Sequence, residues 1–178
     1  MTAYLIRHGK TEANERRLYC GSTDLPLSET GRQELRSIHY PIENVRFLTS
    51  GLCRANETME LLFPEQPYET EPQFREVDFG VFEMRSYNEL KDDPAYQNWI
   101  TGNNEDNIPP GGESGAQMTQ RVLAAYGKLE EDTCIVTHGG VIAAIMAHLF
   151  PEAGKHRYQW QPKNGHGYKI TENGFSEL

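Results

Sequence analysis

The stretch from residue 133 to residue 150 restricts the possible folds more than any other part of the chain. Thr133-Cys134-Ile135-Val136-Thr137 is an uncharged, β-branched run of strand length. His138-Gly139-Gly140 follows directly, and residues 141–150 form an almost wholly apolar segment of helical length. A strand without polar alternation, leading into a buried helix, belongs in a parallel sheet covered on both faces. The same alternation recurs upstream. Residues 3–6 and 46–49 read as strands. Residues 28–39 read as a helix with Thr30 and Gln33 as its capping box. A second helix carries Ala55, Met59, Leu62 and Phe63 on one face and stops at Pro64. Ser114 and Gln117 form another capping box ahead of Met118, Val122, Tyr126 and Leu129, which recur at helical spacing. Residues 168–171 read as a last strand. With no internal repeat and no break in composition, the 178 residues predict one α/β domain: a mainly parallel central sheet with helices on both faces.

In such sheets ligands bind beyond the carboxyl ends of the strands. Arg7, His8 and Gly9 follow the first strand, Ser50, Gly51 and then Arg54 follow the second, and His138, Gly139 and Gly140 follow the strand 133–137. Three strand ends therefore deliver two arginines and two histidines to one edge of the sheet. That set suits phosphoryl transfer. A neutral imidazole is a competent nucleophile towards phosphorus, and guanidinium forks bind two phosphoryl oxygens at once. A protonated second histidine would add a donor, and backbone N–H groups beside Gly9 and Gly139 can approach closely. The leaving oxygen needs a proton, for which Phe74-Arg75-Glu76-Val77-Asp78-Phe79-Gly80 offers Glu76 and Asp78. The residues alone leave both open.

The net charge of −9 argues against nucleic acid or an acidic membrane surface as a partner, but leaves a small anion as ligand if the cations converge. No apolar run approaches bilayer length. The first residues lead straight into a strand, and the three cysteines fall at unrelated spacings. Both features lead us to expect a cytoplasmic protein without signal peptide or disulfides. His8 and His138 lack acidic neighbours at ligand spacing, so no metal and no other cofactor is expected. His39, His148, His156 and His166 read as surface or structural, Cys20 and Cys53 as bystanders, and Tyr158, Trp160 and Tyr168 as packing or pocket wall.

Taken together these segments resemble the histidine phosphatase superfamily, which includes the cofactor-dependent phosphoglycerate mutases. Leu5-Ile6-Arg7-His8-Gly9 with Asn14 downstream is similar to the family's Arg-His-Gly signature. Residues 21–31, Ser50-Gly51-Leu52-Cys53-Arg54, the acid loop 75–83, Pro110-Gly111-Gly112-Glu113-Ser114 and Thr137-His138-Gly139-Gly140 match its further motifs in order. The resemblance implies His8 as phosphohistidine nucleophile, with Arg7, Arg54, His138, Asn14 and Gly139 around the phosphoryl group. It implies Glu76, not Asp78, as proton donor, and a metal-free enzyme acting on a small phosphorylated substrate. Lys10, Phe82 and Met84 depart from the pattern, standing where glutamate, tryptophan and glycine are usual.

Mutases of the family carry an arginine-rich insertion between the acid loop and the Gly-Gly-Glu-Ser segment. Here residues 84–110 contain a single arginine, Arg85, and an acidic polar loop at 101–107. This favours hydrolysis over mutase activity. Residues 79–85 and the short chain look most like the α-ribazole phosphatases, which implies α-ribazole 5′-phosphate as substrate. The alternatives are a phosphoglycerate mutase, a protein phosphohistidine phosphatase and a non-catalytic phospholigand binder.

Overall fold

The structure is a computed structural model that describes residues 1–103 and 105–178; Asn104, part of the polar loop 101–107, lies outside the described residues. Six strands form one sheet: β1 (Ala3–Arg7), β2 (Arg46–Thr49), β3 (Glu69–Thr70), β4 (Thr133–Thr137), β5 (Gly167–Thr171) and β6 (Gly174–Glu177), in the order β3-β2-β4-β1-β5-β6. As its uncharged sequence requires, β4 lies inside the sheet, buried along its whole length between β1 and β2 and parallel to both. β3 extends the parallel part. β5 and β6 form an antiparallel hairpin beside β1, so the sheet is mixed but mostly parallel. The hairpin escaped the sequence reading because β6 is four residues long and mostly exposed. Its turn does carry a signal: Asn173-Gly174, with Gly174 at φ 128°.

The helices are α1 (Glu12–Glu15), α2 (Glu29–Arg36), α3 (Cys53–Leu62), α4 (Tyr87–Leu90), α5 (Pro94–Ile100), α6 (Gly115–Tyr126) and α7 (Gly139–Leu149). Strand periodicity splits the core in two. Leu5, Leu48 and Ile135 pack with Met118, Val122 and the apolar face of α7. Ile6, Phe47, Cys134 and Val136 point the other way, onto Leu35, Ala55 and Met59 of α2 and α3. Each fully buried Leu, Ile, Val, Phe or Met among them contributes roughly 1.5–3 kcal/mol. A third cluster, built on Phe82, Leu90 and Tyr96 with Tyr19, Phe79 and Trp99 against it, forms a side lobe.

Two boundaries need correction. The N-cap of α2 is Ser28, whose Oγ accepts from the Gly31 N–H at 3.1 Å, so Thr30 sits inside the first turn and the helix stops at Arg36 rather than residue 39. Leu129 lies past the end of α6, although the Ser114–Gln117 capping box forms as expected. The departures from the family pattern have local explanations. Lys10 pairs with Glu34 at 2.6 Å. Phe82 is fully buried in the side lobe. Met84 adopts φ 59°, a left-handed conformation that explains the usual glycine and costs a side chain about 1–2 kcal/mol.

Candidate active site

β1 ends in Arg7, and the next residue, His8, is fixed from three sides. Its N–H donates to the Thr137 carbonyl at 2.9 Å, and its own carbonyl accepts from Asn164 Nδ2 at 3.0 Å. Its ring Nδ1 lies 2.7 Å from the Gly9 carbonyl, an acceptor only, so Nδ1 carries the proton and Nε2 keeps its lone pair. Gly9 in turn donates to Thr58 Oγ1 at 2.9 Å, and that hydroxyl donates to the Arg54 carbonyl at 2.6 Å. The start of α3 is thereby tied to the end of β1.

Arg54 is only 1% exposed, and its guanidinium donates to the carbonyls of Thr23 (2.8 Å) and Gly21 (2.7 Å). The loop 21–23 is itself held by Glu83. The Glu83 carboxylate accepts from the N–H groups of Gly21, Ser22 and Phe79 at 3.0 Å and from Thr23 Oγ1 at 2.7 Å. Gly21 is indispensable to this packing, since a Cβ there would meet the Val77 carbonyl oxygen at 1.6 Å. His138 caps α7 without exposure to solvent, and its ring stands 5.1 Å from that of His8 between centroids. Arg7 donates Nη1 to the Pro162 carbonyl at 2.8 Å. Among the described residues, the buried Arg7 Nε and His138 Nδ1 have no hydrogen-bond partner.

The acid loop separates its two candidates. Glu76 accepts from the Gly140 N–H at 2.8 Å and the Val77 N–H at 3.0 Å, and it lines the cavity described below. Asp78 accepts from the Gly80 N–H at 2.8 Å to shape its own turn, and does not line that cavity. The loop backbone is held by Arg121, which donates to the carbonyls of Gln73, Arg75 and Glu76 while paired with Glu113 through two bonds of 2.7 and 2.8 Å. Glu113 therefore does more than precede a helix. Asn14 reaches the same cavity, with Oδ1 accepting from the Thr11 N–H and hydroxyl at 3.0 Å.

The cavity has a volume of about 440 Å³. Arg7, Asn14, Glu76 and Gly140 line it together with Tyr19, Phe79, Trp99, Met118 and Tyr158. His8, Arg54 and His138 are buried and do not line it; Arg7 and Glu76 join the two regions. Tyr158 is thus pocket wall, whereas Trp160 is fully buried in the core. Glu105 and Arg157 also line the cavity and form an ion pair with each other. Cys20, another lining residue, and Cys53 both have thiols pushed above their ordinary range, mainly by burial, which lowers their thiolate fraction.

Glu83, Arg121 and Arg157 were missed in the sequence. Glu83 lies in a recognised motif, but nothing in the motif says that its carboxylate gathers a distant loop. Arg121 and Arg157 stand in no motif, and the contacts of Arg121 with the acid loop and of Arg157 with Glu105 cross 45 or more residues.

Burial, with Arg54 and Arg7 nearby, pushes the His8 imidazole well below its ordinary range, against a smaller opposing effect of the Gly9 carbonyl. Burial, Arg54, His8, Arg7 and Arg121 do the same to His138. Both rings are therefore neutral in the resting protein, and His138 offers one ring N–H, not the two that a protonated ring would add. The sign of the pH dependence follows. In the unfolded chain each ring titrates near 6.5. Below that pH the unfolded state binds protons that the folded state does not, so stability falls as pH falls. The slope approaches about 1.4 kcal/mol per pH unit for each ring. Urea unfolding at pH 7 and pH 5.5 is expected to register this loss, and His8→Asn to remove roughly half of it. Equal wild-type stability at the two pH values would contradict neutral buried rings.

Comparison with known proteins agrees with this geometry. The profile of the histidine phosphatase superfamily (branch 1) matches residues 3–175. The adenosylcobalamin/alpha-ribazole phosphatase of Salmonella typhimurium is 32% identical over 161 residues, which cover 84% of this chain and 79% of that protein. Its Escherichia coli K12 counterpart matches to the same extent. Among solved structures, TTHB049 from Thermus thermophilus superposes with a TM-score of 0.81 at 28% identity, covering 100% of this chain and 96% of that one. A phosphoglycerate mutase from the same organism gives 0.80 at 28% identity with the same coverage. A family match across nearly the whole chain, on a fold that gathers Arg7, His8, Arg54 and His138, leaves one assignment: the chain belongs to the histidine phosphatase superfamily, branch 1, and is a phosphatase.

Proposed function

We propose that this phosphatase acts through a phosphohistidine on His8 and hydrolyses α-ribazole 5′-phosphate or a close analogue whose alcohol bears a flat aromatic base. The observation that carries the substrate reading is the composition of the cavity beside Glu76. Tyr19, Phe79, Trp99, Met118 and Tyr158 offer apolar and aromatic walls. The cations lining it, among the described residues, are Arg7, assigned to the transferred phosphoryl group, and Arg157, already paired with Glu105. A second phosphate would meet no unpaired cation, which favours hydrolysis over phosphoglycerate mutation.

In this mechanism the His8 Nε2 lone pair attacks phosphorus, its orientation fixed by the Nδ1–H bond to Gly9. Arg7, Arg54, His138, Asn14 and the Gly139 N–H hold the equatorial oxygens, and such preorganised donors contribute about 3 kcal/mol each to the transition state. Glu76 gives its proton to the leaving oxygen and then takes one from the water that attacks phosphohistidine. No step calls for a metal. The same reading places the enzyme in the cytoplasm, where its three free thiols persist.

Phosphate release from α-ribazole 5′-phosphate, 3-phosphoglycerate and p-nitrophenyl phosphate tests this. We expect kcat/KM for the ribazole ester to exceed that for phosphoglycerate by about 5- to 150-fold, as loss of base stacking is worth roughly 1–3 kcal/mol. Rates should be unchanged by EDTA. Phosphoglycerate isomerisation faster than phosphate release would make the chain a mutase, and inactivation by EDTA would demand a metal.

A further inference from the structure

We infer that Ser50 sets the tautomer of His138, so that the ring presents an Nδ1–H, and not a lone pair, to the phosphoryl group. A neutral imidazole has one donor nitrogen and one acceptor nitrogen, and the bond made by one fixes the role of the other. His138 Nε2 lies 2.8 Å from Ser50 Oγ. The direction of that bond follows from the serine. Ser50 is fully buried, and its Oγ already accepts from the Leu52 N–H at 3.4 Å. Among the described residues no acceptor other than His138 Nε2 is within reach of its hydroxyl proton. A buried hydroxyl proton without an acceptor costs about 1–3 kcal/mol. The serine therefore donates, Nε2 accepts, and the ring proton sits on Nδ1.

That nitrogen is the one with no partner in the protein, although the ring is fully buried. It belongs to a ring 5.1 Å from that of His8 and subject to the charges of Arg54 and Arg7. A ligand with oxygen acceptors arriving between those cations satisfies it. The opposite tautomer would turn a lone pair towards the phosphoryl oxygens and repel them. Ser50 is in its turn held in place: it follows β2 directly, and its carbonyl accepts from Arg75 Nε at 3.3 Å. Ser50 is thus a positioning residue that acts through His138. It stands in the second arginine motif, where the sequence reading gave it no task.

The inference rests on the proposed phosphohistidine chemistry but is read without turnover. Histidine-selective ¹⁵N labelling, with His138 assigned by difference from His138→Asn, is expected to show a protonated Nδ1 and an unprotonated Nε2 in the resting protein at pH 7. Ser50→Ala is expected to shift the ring towards the Nε2–H form and to lower kcat for p-nitrophenyl phosphate by about 10- to 100-fold. Ser50→Thr, which keeps the hydroxyl, is expected to restore both. A wild-type ring protonated at Nε2 overturns the inference whether or not any variant folds. So does a Ser50→Ala protein whose tautomer is unchanged. An inactive wild-type enzyme with Nδ1 protonated would instead reject the proposed reaction and leave the tautomer assignment standing.

Discussion

His8→Ala is expected to lower kcat for any phosphomonoester by about 10⁴-fold or more, equivalent to over about 5 kcal/mol of barrier, because removal of a nucleophile abolishes the covalent route altogether. The fold should survive. His8 makes its strand-end contacts through its backbone, and the side chain contributes one hydrogen bond, to the Gly9 carbonyl, worth about 1 kcal/mol. Rapid quenching of the wild-type enzyme with ³²P-labelled substrate should trap a protein-bound phosphate that is stable to alkali and lost in acid, as expected for a phosphorus–nitrogen bond. The variant should trap none. Activity within tenfold of wild type after this substitution would remove His8 from the chemistry.

Glu76→Gln is expected to act selectively. General acid catalysis contributes typically 10²–10⁴-fold, but only where the leaving oxygen needs a proton. Hydrolysis of an alkyl phosphate such as a ribose 5-phosphate ester should fall about 10³-fold. The first-turnover burst of p-nitrophenolate, which leaves unaided, should slow less than about tenfold, while dephosphorylation by water, which Glu76 serves as base, slows with both substrates. Some loss is expected with both substrates, because the two carboxylate oxygens accept from Gly140 and Val77, and an amide can offer only one oxygen to those two N–H groups. Gly140 confines the position further, as even a Cβ there would come within 2.4 Å of Glu76 Oε1. Equal losses with the two leaving groups in the first-turnover release of the alcohol or phenolate would exclude the donor role. Asp78→Asn, which alters a turn outside the cavity, should leave the leaving-group dependence intact.

The sequence revealed most where function and local structure share the same residues. Arg7 is the last residue of β1, His8 and His138 follow a strand directly, and Arg54 stands in the first turn of α3 after β2, so the strand-end rule pointed to one edge of the sheet before any contact was known. β4 was legible because burial on both faces forbids charge along its length. Elements supported by surroundings and not by their own pattern were hidden. β3 is two exposed residues long, and α4 is a single turn capped by Ser86 and Glu89. The supporting layer of the site was hidden for the same reason. Glu83 steadies Arg54 through the backbone of residues 21–23, and Arg121 steadies Glu76 through a carbonyl. Contacts with backbone atoms leave no complementary residue type in the sequence for a reader to find.

The hairpin beside β1 has a consequence for how the protein is made. The Arg7 N–H donates to the carbonyl of His166 and the Arg7 carbonyl accepts from Gly165, while Asn164 holds the carbonyl of His8 from 156 residues further along the chain. The Leu178 N–H closes the hairpin onto Gly167. Residues synthesised early are therefore locked by residues synthesised late, and β1 also needs β4 as its neighbour on the other side. A growing chain can neither complete this sheet nor seat its nucleophile until residues 164–178 have emerged from the ribosome, so catalysis waits for the hairpin to be made.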